Sequence, residues 1–137
     1  MKVIDKNAHI SKPYKMKCLI QNLEFEDELH SQNIEDNLPT IDLVDTINVH
    51  AVTSFYYTIN GLKVEGDLQF YNYRDNEWSW VDAQFLTIGS YLFTDHDKLE
   101  KITQVDNTNE VLKGCMLAVD TNFFAEGYLV RWVDEYY

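Results

Sequence analysis

Apolar and polar residues alternate along Ile47–Ile59. Ile47, Val49, Ala51, Thr53, Phe55, Tyr57 and Ile59 fall on one side, and Asn48, His50, Val52, Ser54, Tyr56 and Thr58 on the other. Period-two alternation over that length predicts a half-buried strand. Asn60-Gly61 follows, the favoured dipeptide of a tight hairpin because both residues tolerate positive φ. The return run alternates again through Leu62, Val64, Leu68 and Phe70. A two-residue loop sets the register, pairing Ile59 with Leu62 and, further out, Phe55 with Gly66. Phe55 would then cover the glycine. The opposite face would carry Tyr56 beside Glu65, Ser54 beside Asp67, and His50 beside Tyr71.

Further along, Arg74-Asp75-Asn76 reads as a turn into a third strand over 77–88 that holds Trp78 and Trp80. Gly89-Ser90 breaks it before Tyr91-Leu92-Phe93. Thr94-Asp95-His96-Asp97 looks like a helix cap, with Leu99, Ile102 and Val105 at three-residue spacing behind it. Asp106 to Asn109 reads as a turn. Residues 111–119 form a buried strand, 120–122 a turn, and 127–133 a last strand. Upstream, the pattern predicts a strand over 16–25, a helix over 26–34 and a short helix over 40–47. Together these elements predict a single α+β domain. Its core would be a curved antiparallel meander of five to seven strands, with one or two short helices on one face and a closed barrel as the nearest rival.

Charge divides the chain unevenly. The first 17 residues hold five lysines against Asp5, a basic N-terminal segment. An acidic segment spans 18–46, and the meander occupies 47–137. From Cys18 to Leu62 there are eight carboxylates and no Lys or Arg, within a chain of net charge −12. Such a field repels nucleic acid and anionic membrane and draws basic partners. Apolar residues reach 45% and aromatics 14%, enough for a real core in 137 residues. No window approaches the roughly 18 apolar residues of a membrane span. The polar first 17 residues do not form a secretory signal. Cys18 and Cys115 lie in apolar runs and form no disulfide framework, so the cytoplasm is the simplest compartment.

Catalytic and metal motifs are missing from the pattern. Four scattered histidines share no ligand spacing. The serines sit in no nucleophile elbow, and no glycine-rich phosphate loop occurs. Glu26/His30, Asp95-His96-Asp97 and His50/Tyr71 read as solvated or cross-strand contacts. The sequence therefore assigns no catalytic residue, no metal ligand and no cofactor. It points instead to a small acidic inhibitor that neutralises a basic, nucleic-acid-acting protein, as immunity proteins against nuclease toxins and phage anti-defence proteins do. The contact surface would combine Glu26, Asp27, Glu35, Asp36, Asp42, Asp45, Glu65 and Asp67 with Tyr56, Tyr71 and Tyr73 as aromatic anchors. Two alternatives stand beside it. One is a ligand-binding or enzymatic domain whose Trp78, Trp80, Tyr91, Phe93 and Trp132 line a cavity. The other is a structural subunit of a larger assembly.

Overall fold

The computed structural model describes residues 2–96 and 98–132. In chain order the strands are β1 (Val3–Asp5), β2 (His9–Lys12), β3 (Met16–Leu19), β4 (Glu28–Asn33), β5 (Leu38–Leu43), β6 (Thr46–Thr53), β7 (Tyr56–Ile59) and β8 (Leu62–Val64). They continue as β9 (Gln69–Arg74), β10 (Glu77–Asp82), β11 (Tyr91–Phe93), β12 (Leu99–Lys101), β13 (Val105–Thr108), β14 (Leu112–Ala118), β15 (Phe123–Ala125) and β16 (Tyr128–Arg131). Only two short 3-10 turns, Ile20–Asn22 and Ala83–Phe85, interrupt this β architecture among the described residues. The expected α+β meander with flanking helices is therefore wrong: the fold is nearly all β.

Three antiparallel sheets replace one meander. The first runs β13-β7-β8-β1-β14-β6; the second runs β12-β11-β9-β16-β15-β2-β3, with β10 also on β9; β4 and β5 pair only with each other. One core joins them. Ile4, Ile59, Leu62 and Val64 of the first sheet pack with Ile10, Phe70, Phe123 and Val130 of the second, and Leu29 of β4 closes the same cluster.

The Asn60-Gly61 hairpin forms as its dipeptide requires, with φ of 47° and 88°. Tyr57↔Val64, Thr58↔Lys63 and Ile59↔Leu62 keep the expected register. The pairing then stops, because after Val64 the chain turns to β1, where the Glu65 N–H donates to Val3 O. Phe55 is exposed and does not lie over Gly66. The Tyr57 ring covers that glycine instead, 3.0 Å from where a Cβ would stand. The long alternating run is also two strands: β6 lies at an edge on β14, and β7 lies between β13 and β8. The described residues of 94–109 form no helix. The Thr94 hydroxyl donates to Lys98 O in a turn, and β12 and β13 join different sheets. The segments 28–33 and 38–43 are likewise strands.

Several hairpin tips put non-glycine residues at positive φ. The β2–β3 tip is the least comfortable, with Tyr14 at 64° and Lys15 at 60°. A side-chain-bearing residue in that region costs about 1–2 kcal/mol, which glycine avoids. Lys15→Gly should therefore raise stability by about 1 kcal/mol, read as a higher urea midpoint with unchanged slope; a lower midpoint would show that the tip is not strained.

The two ends of the described chain meet on β14. Val3 pairs with Met116, and the Trp132 indole N–H donates to Leu117 O at 2.9 Å. Beside them Glu65 Oε1 accepts the Val3 N–H, and Lys2 and Asp67 form an ion pair.

Candidate functional site

The residues proposed as one acidic contact surface scatter over the molecule and are largely occupied. Asp27 accepts the Glu24 N–H, Asp36 accepts the Leu38 N–H, and Asp42 accepts both the N–H and the hydroxyl of Thr121. Glu65 and Asp67 hold β1. Glu26, Glu35 and Asp45 are exposed in the loops and tips around β4, β5 and β6. Much of the acid between Cys18 and Leu62 thus fastens turns, where a carboxylate accepts N–H groups that have no strand partner.

The tyrosines do not join that surface either. Tyr56 is buried in the first sheet with Lys63 Nζ 5.5 Å from its ring centroid. Tyr71 stacks on Trp78 at 4.9 Å, and Tyr73 tilts against Trp78 at 5.2 Å. His50 lies on β6, in a different sheet from Tyr71. His30 belongs to β4 and packs on Phe124 at 4.6 Å, so the Glu26/His30 helical pair does not exist. The expected aromatic cavity is absent as well. Tyr71, Trp78 and Phe93 contact one another and Phe93 reaches Phe124, which fills the space with rings.

Nucleophile chemistry is poorly provided for at the side chains best suited to it. Cys115 is 0% exposed, and Cys18 donates its thiol to Leu19 O; both are free. Burial pushes both thiols up from their ordinary range, Cys18 despite the opposing Lys12, and it pushes the Tyr71 phenol up too. A reactive thiolate needs the opposite shift. Ser11 Oγ donates to Asp95 Oδ2 at 2.8 Å, while His96 meets the other oxygen at 3.3 Å. That order puts a carboxylate where an activating imidazole would stand. Asp97, the remaining member of the expected cluster, lies outside the described residues. Among the described residues no three His, Cys, Asp or Glu side chains gather around a possible metal position. No helix of the described residues is long and apolar enough to cross a membrane.

The raised thiols and phenol set a direction for stability with pH. Unfolded thiols lose protons above about pH 8.5, whereas the folded ones hold theirs. The stability from the neutral forms is thus fully present below that pH and is lost as pH rises toward the folded values. Urea midpoints should decline as pH rises above that value, less steeply in Cys115→Ala. A midpoint that climbs through this range would contradict the assignment.

One groove carries unpaired chemistry. It lies between the β4–β5 hairpin, the 119–122 turn, Trp80 of β10 and the end of β16, with a volume of about 890 Å³, inside the range of ligand-holding clefts. Its hairpin wall is fixed by Asn122, which is 4% exposed: its Oδ1 accepts the Gln32 N–H at 2.9 Å and its Nδ2 donates to Gln32 O at 2.8 Å. Arg131 lines the groove, its guanidinium 4.4 Å from the Trp80 ring. Its Nε donates to Gln69 Oε1, and Gln69 Nε2 donates to Asp82. Burial pulls this guanidinium below its usual range. No carboxylate of the described residues is its ion-pair partner. Trp80 Nε1 is buried without a hydrogen-bond partner among the described residues.

The sequence pattern singled out Trp80 and Trp132, but for a cavity that does not form, and it missed Arg131. A signal was available. After Lys113, Arg131 is the only Lys or Arg in the chain, and it stands in the strand sequence Tyr-Leu-Val-Arg-Trp.

No family model and no curated protein matches the chain. Solved structures do. The bacterial intein-like domain from Clostridium thermocellum superposes with a TM-score of 0.78 at 19% identity, covering 95% of this chain and 97% of that one. The DnaB intein from Synechocystis sp. PCC 6803 gives 0.77 at 17%, covering 98% and 100%. The TvoVMA intein gives 0.78 at 13%, covering 94% and 96%. This likeness to protein-splicing domains over nearly the whole chain overturns the expectation of an acidic inhibitor of the immunity or anti-defence kind and of a nucleic-acid mimic. The scattering of the acids gives the physical reason. The chain has the intein fold.

Proposed function

We propose that this intein-fold domain grips an extended polypeptide segment in the Arg131 groove and neither breaks nor joins it. The observation that supports the grip is Arg131 itself: a half-buried cation on Trp80, at a groove wall, with no carboxylate of the described residues paired to it. A desolvated charge without a partner is costly, and an incoming group that pairs with it recovers that cost. The fold supports polypeptide as the class of ligand, because protein splicing is a reaction on polypeptide. The absence of bond exchange is supported by Cys18, Cys115 and Ser11, none of which is paired with a base in the order that acyl transfer needs.

Two measurements test this. The chain fused at both ends to tagged flanking sequences should keep its intact mass through prolonged incubation with thiol; a cleaved or ligated product would overturn the second half of the reading. A randomised peptide library should return binders that Arg131→Gln no longer holds. A library that yields no Arg131-dependent binder would count against the grip.

A further inference from the structure

We propose that the segment held in this groove presents a carboxylate to Arg131. The inference rests on the groove reading above and names the chemistry it recognises. The Arg131 guanidinium uses its Nε on Gln69 and stands 4.4 Å from the Trp80 ring, and no carboxylate of the described residues pairs with it. A guanidinium is a planar fork that matches the two oxygens of a carboxylate.

The rest of the lining narrows the anion and its carrier. Glu35, Asp42 and Asp120 border the same groove, and the chain as a whole carries −12. A doubly charged phosphate would meet that repulsion twice over, whereas a single carboxylate meets it once and pairs locally with Arg131. The acids in turn suit a ligand that brings N–H donors along its length. A polypeptide with an acidic side chain supplies both, and a free small acid supplies only the carboxylate.

The indole resonances of Trp78, Trp80 and Trp132 in ¹⁵N-labelled protein provide the test. The ligands are the acetylated, amidated pentapeptide Thr-Val-Glu-Val-Thr, the same peptide with Gln for Glu, and propionate. The Glu peptide should move the Trp80 indole signal saturably. The Gln peptide should need at least about tenfold more, since a charge-assisted bond contributes about 1.5–3 kcal/mol. Arg131→Gln should erase the difference between the two peptides while keeping three dispersed indole signals. Propionate acting at the Glu peptide's concentration would support the carboxylate and overturn the polypeptide carrier. Equal effects of the Glu and Gln peptides would overturn the carboxylate while leaving the groove in use. No movement of Trp80 with any ligand up to about 10 mM would overturn both.

Discussion

Gly114→Ala should unfold the domain under conditions in which the native chain is fully folded. Gly114 sits on β14 where that strand pairs with β1, opposite Asp5. A Cβ there would stand 2.1 Å from Ile4 O and 2.8 Å from Ile4 C. Both are backbone atoms of a central strand, held between β8 and β14, so neither can rotate away. Relief requires β1 to separate from β14 beside a register shift already present between Gly114 and Met116. The expected loss is about 4 kcal/mol or more, at the upper end of single-residue effects and a large part of the total stability of a domain this size. Gly66→Ala is the control. Its Cβ would meet the Tyr57 ring at 3.0 Å and the Gln84 Cβ at 3.4 Å, both side-chain contacts that can yield, so about 1 kcal/mol is expected. Chemical denaturation of both variants decides it. A Gly114→Ala protein with near-native stability would mean that β1 is not held where it is described.

Asn122→Ala should cost about 2–4 kcal/mol and should loosen the β4–β5 hairpin selectively. Asn122 makes a strand-like pair of hydrogen bonds with the Gln32 main chain. Gln32 is itself buried, so truncation leaves an N–H and a C=O without partners in a dry place, at about 1–3 kcal/mol for each. Asn122→Asp tests the donor alone: a carboxylate still accepts the Gln32 N–H but faces the Gln32 carbonyl without a proton to give. Hydrogen exchange should show the amides of residues 28–43 opening far faster than those of β14. Uniform acceleration across the molecule would show instead that the hairpin is not a separable unit. The same substitution removes the wall opposite Arg131, so the groove should lose its ligands before the domain loses its fold.

How legible this architecture was varies with how local its cause is. The Asn60-Gly61 turn acts over four residues, and three pairs of its hairpin follow the expected register. The buried run that became β14 and the turn over 120–122 are equally local in origin. The break at Ser54-Phe55 is different. Alternation continues through it, yet the strand before pairs with residues 112–118 and the strand after with 62–64 and 105–108. Nothing in a periodicity distinguishes one partner from two. Leu99, Ile102 and Val105 imitate a helical stripe, but Leu99 and Val105 sit on two short strands of different sheets and Ile102 on the segment between them, and tertiary pairing overrides so weak a preference. Misreading residues 26–47 as helical had a further effect. It put the acids on one imagined face, when Asp27, Asp36 and Asp42 tie down different turns and Glu26, Glu35 and Asp45 stand exposed on separate loops. Arg131 escaped notice because a single base in a strand says nothing about its surroundings until the hairpin over it is placed.

The meeting of the first strand with β14 has a consequence for the order in which the molecule can be made. β1 lies in the middle of the first sheet, and Val3 must wait for Met116, 113 positions later, before that sheet has a centre. At about 5–20 residues per second, a ribosome takes about 6–23 s to cover that distance. During that time the Asn60-Gly61 hairpin and the β9–β10 hairpin can form from neighbouring sequence, but neither large sheet can close. The early apolar strands, Val3-Ile4 above all, lack their β14 neighbour until residues 112–118 have been made. Folding should therefore be late and slow, as expected when contacts join distant parts of a chain. A nascent chain stopped before Leu112 should be a protease-sensitive set of hairpins and not a smaller version of the domain.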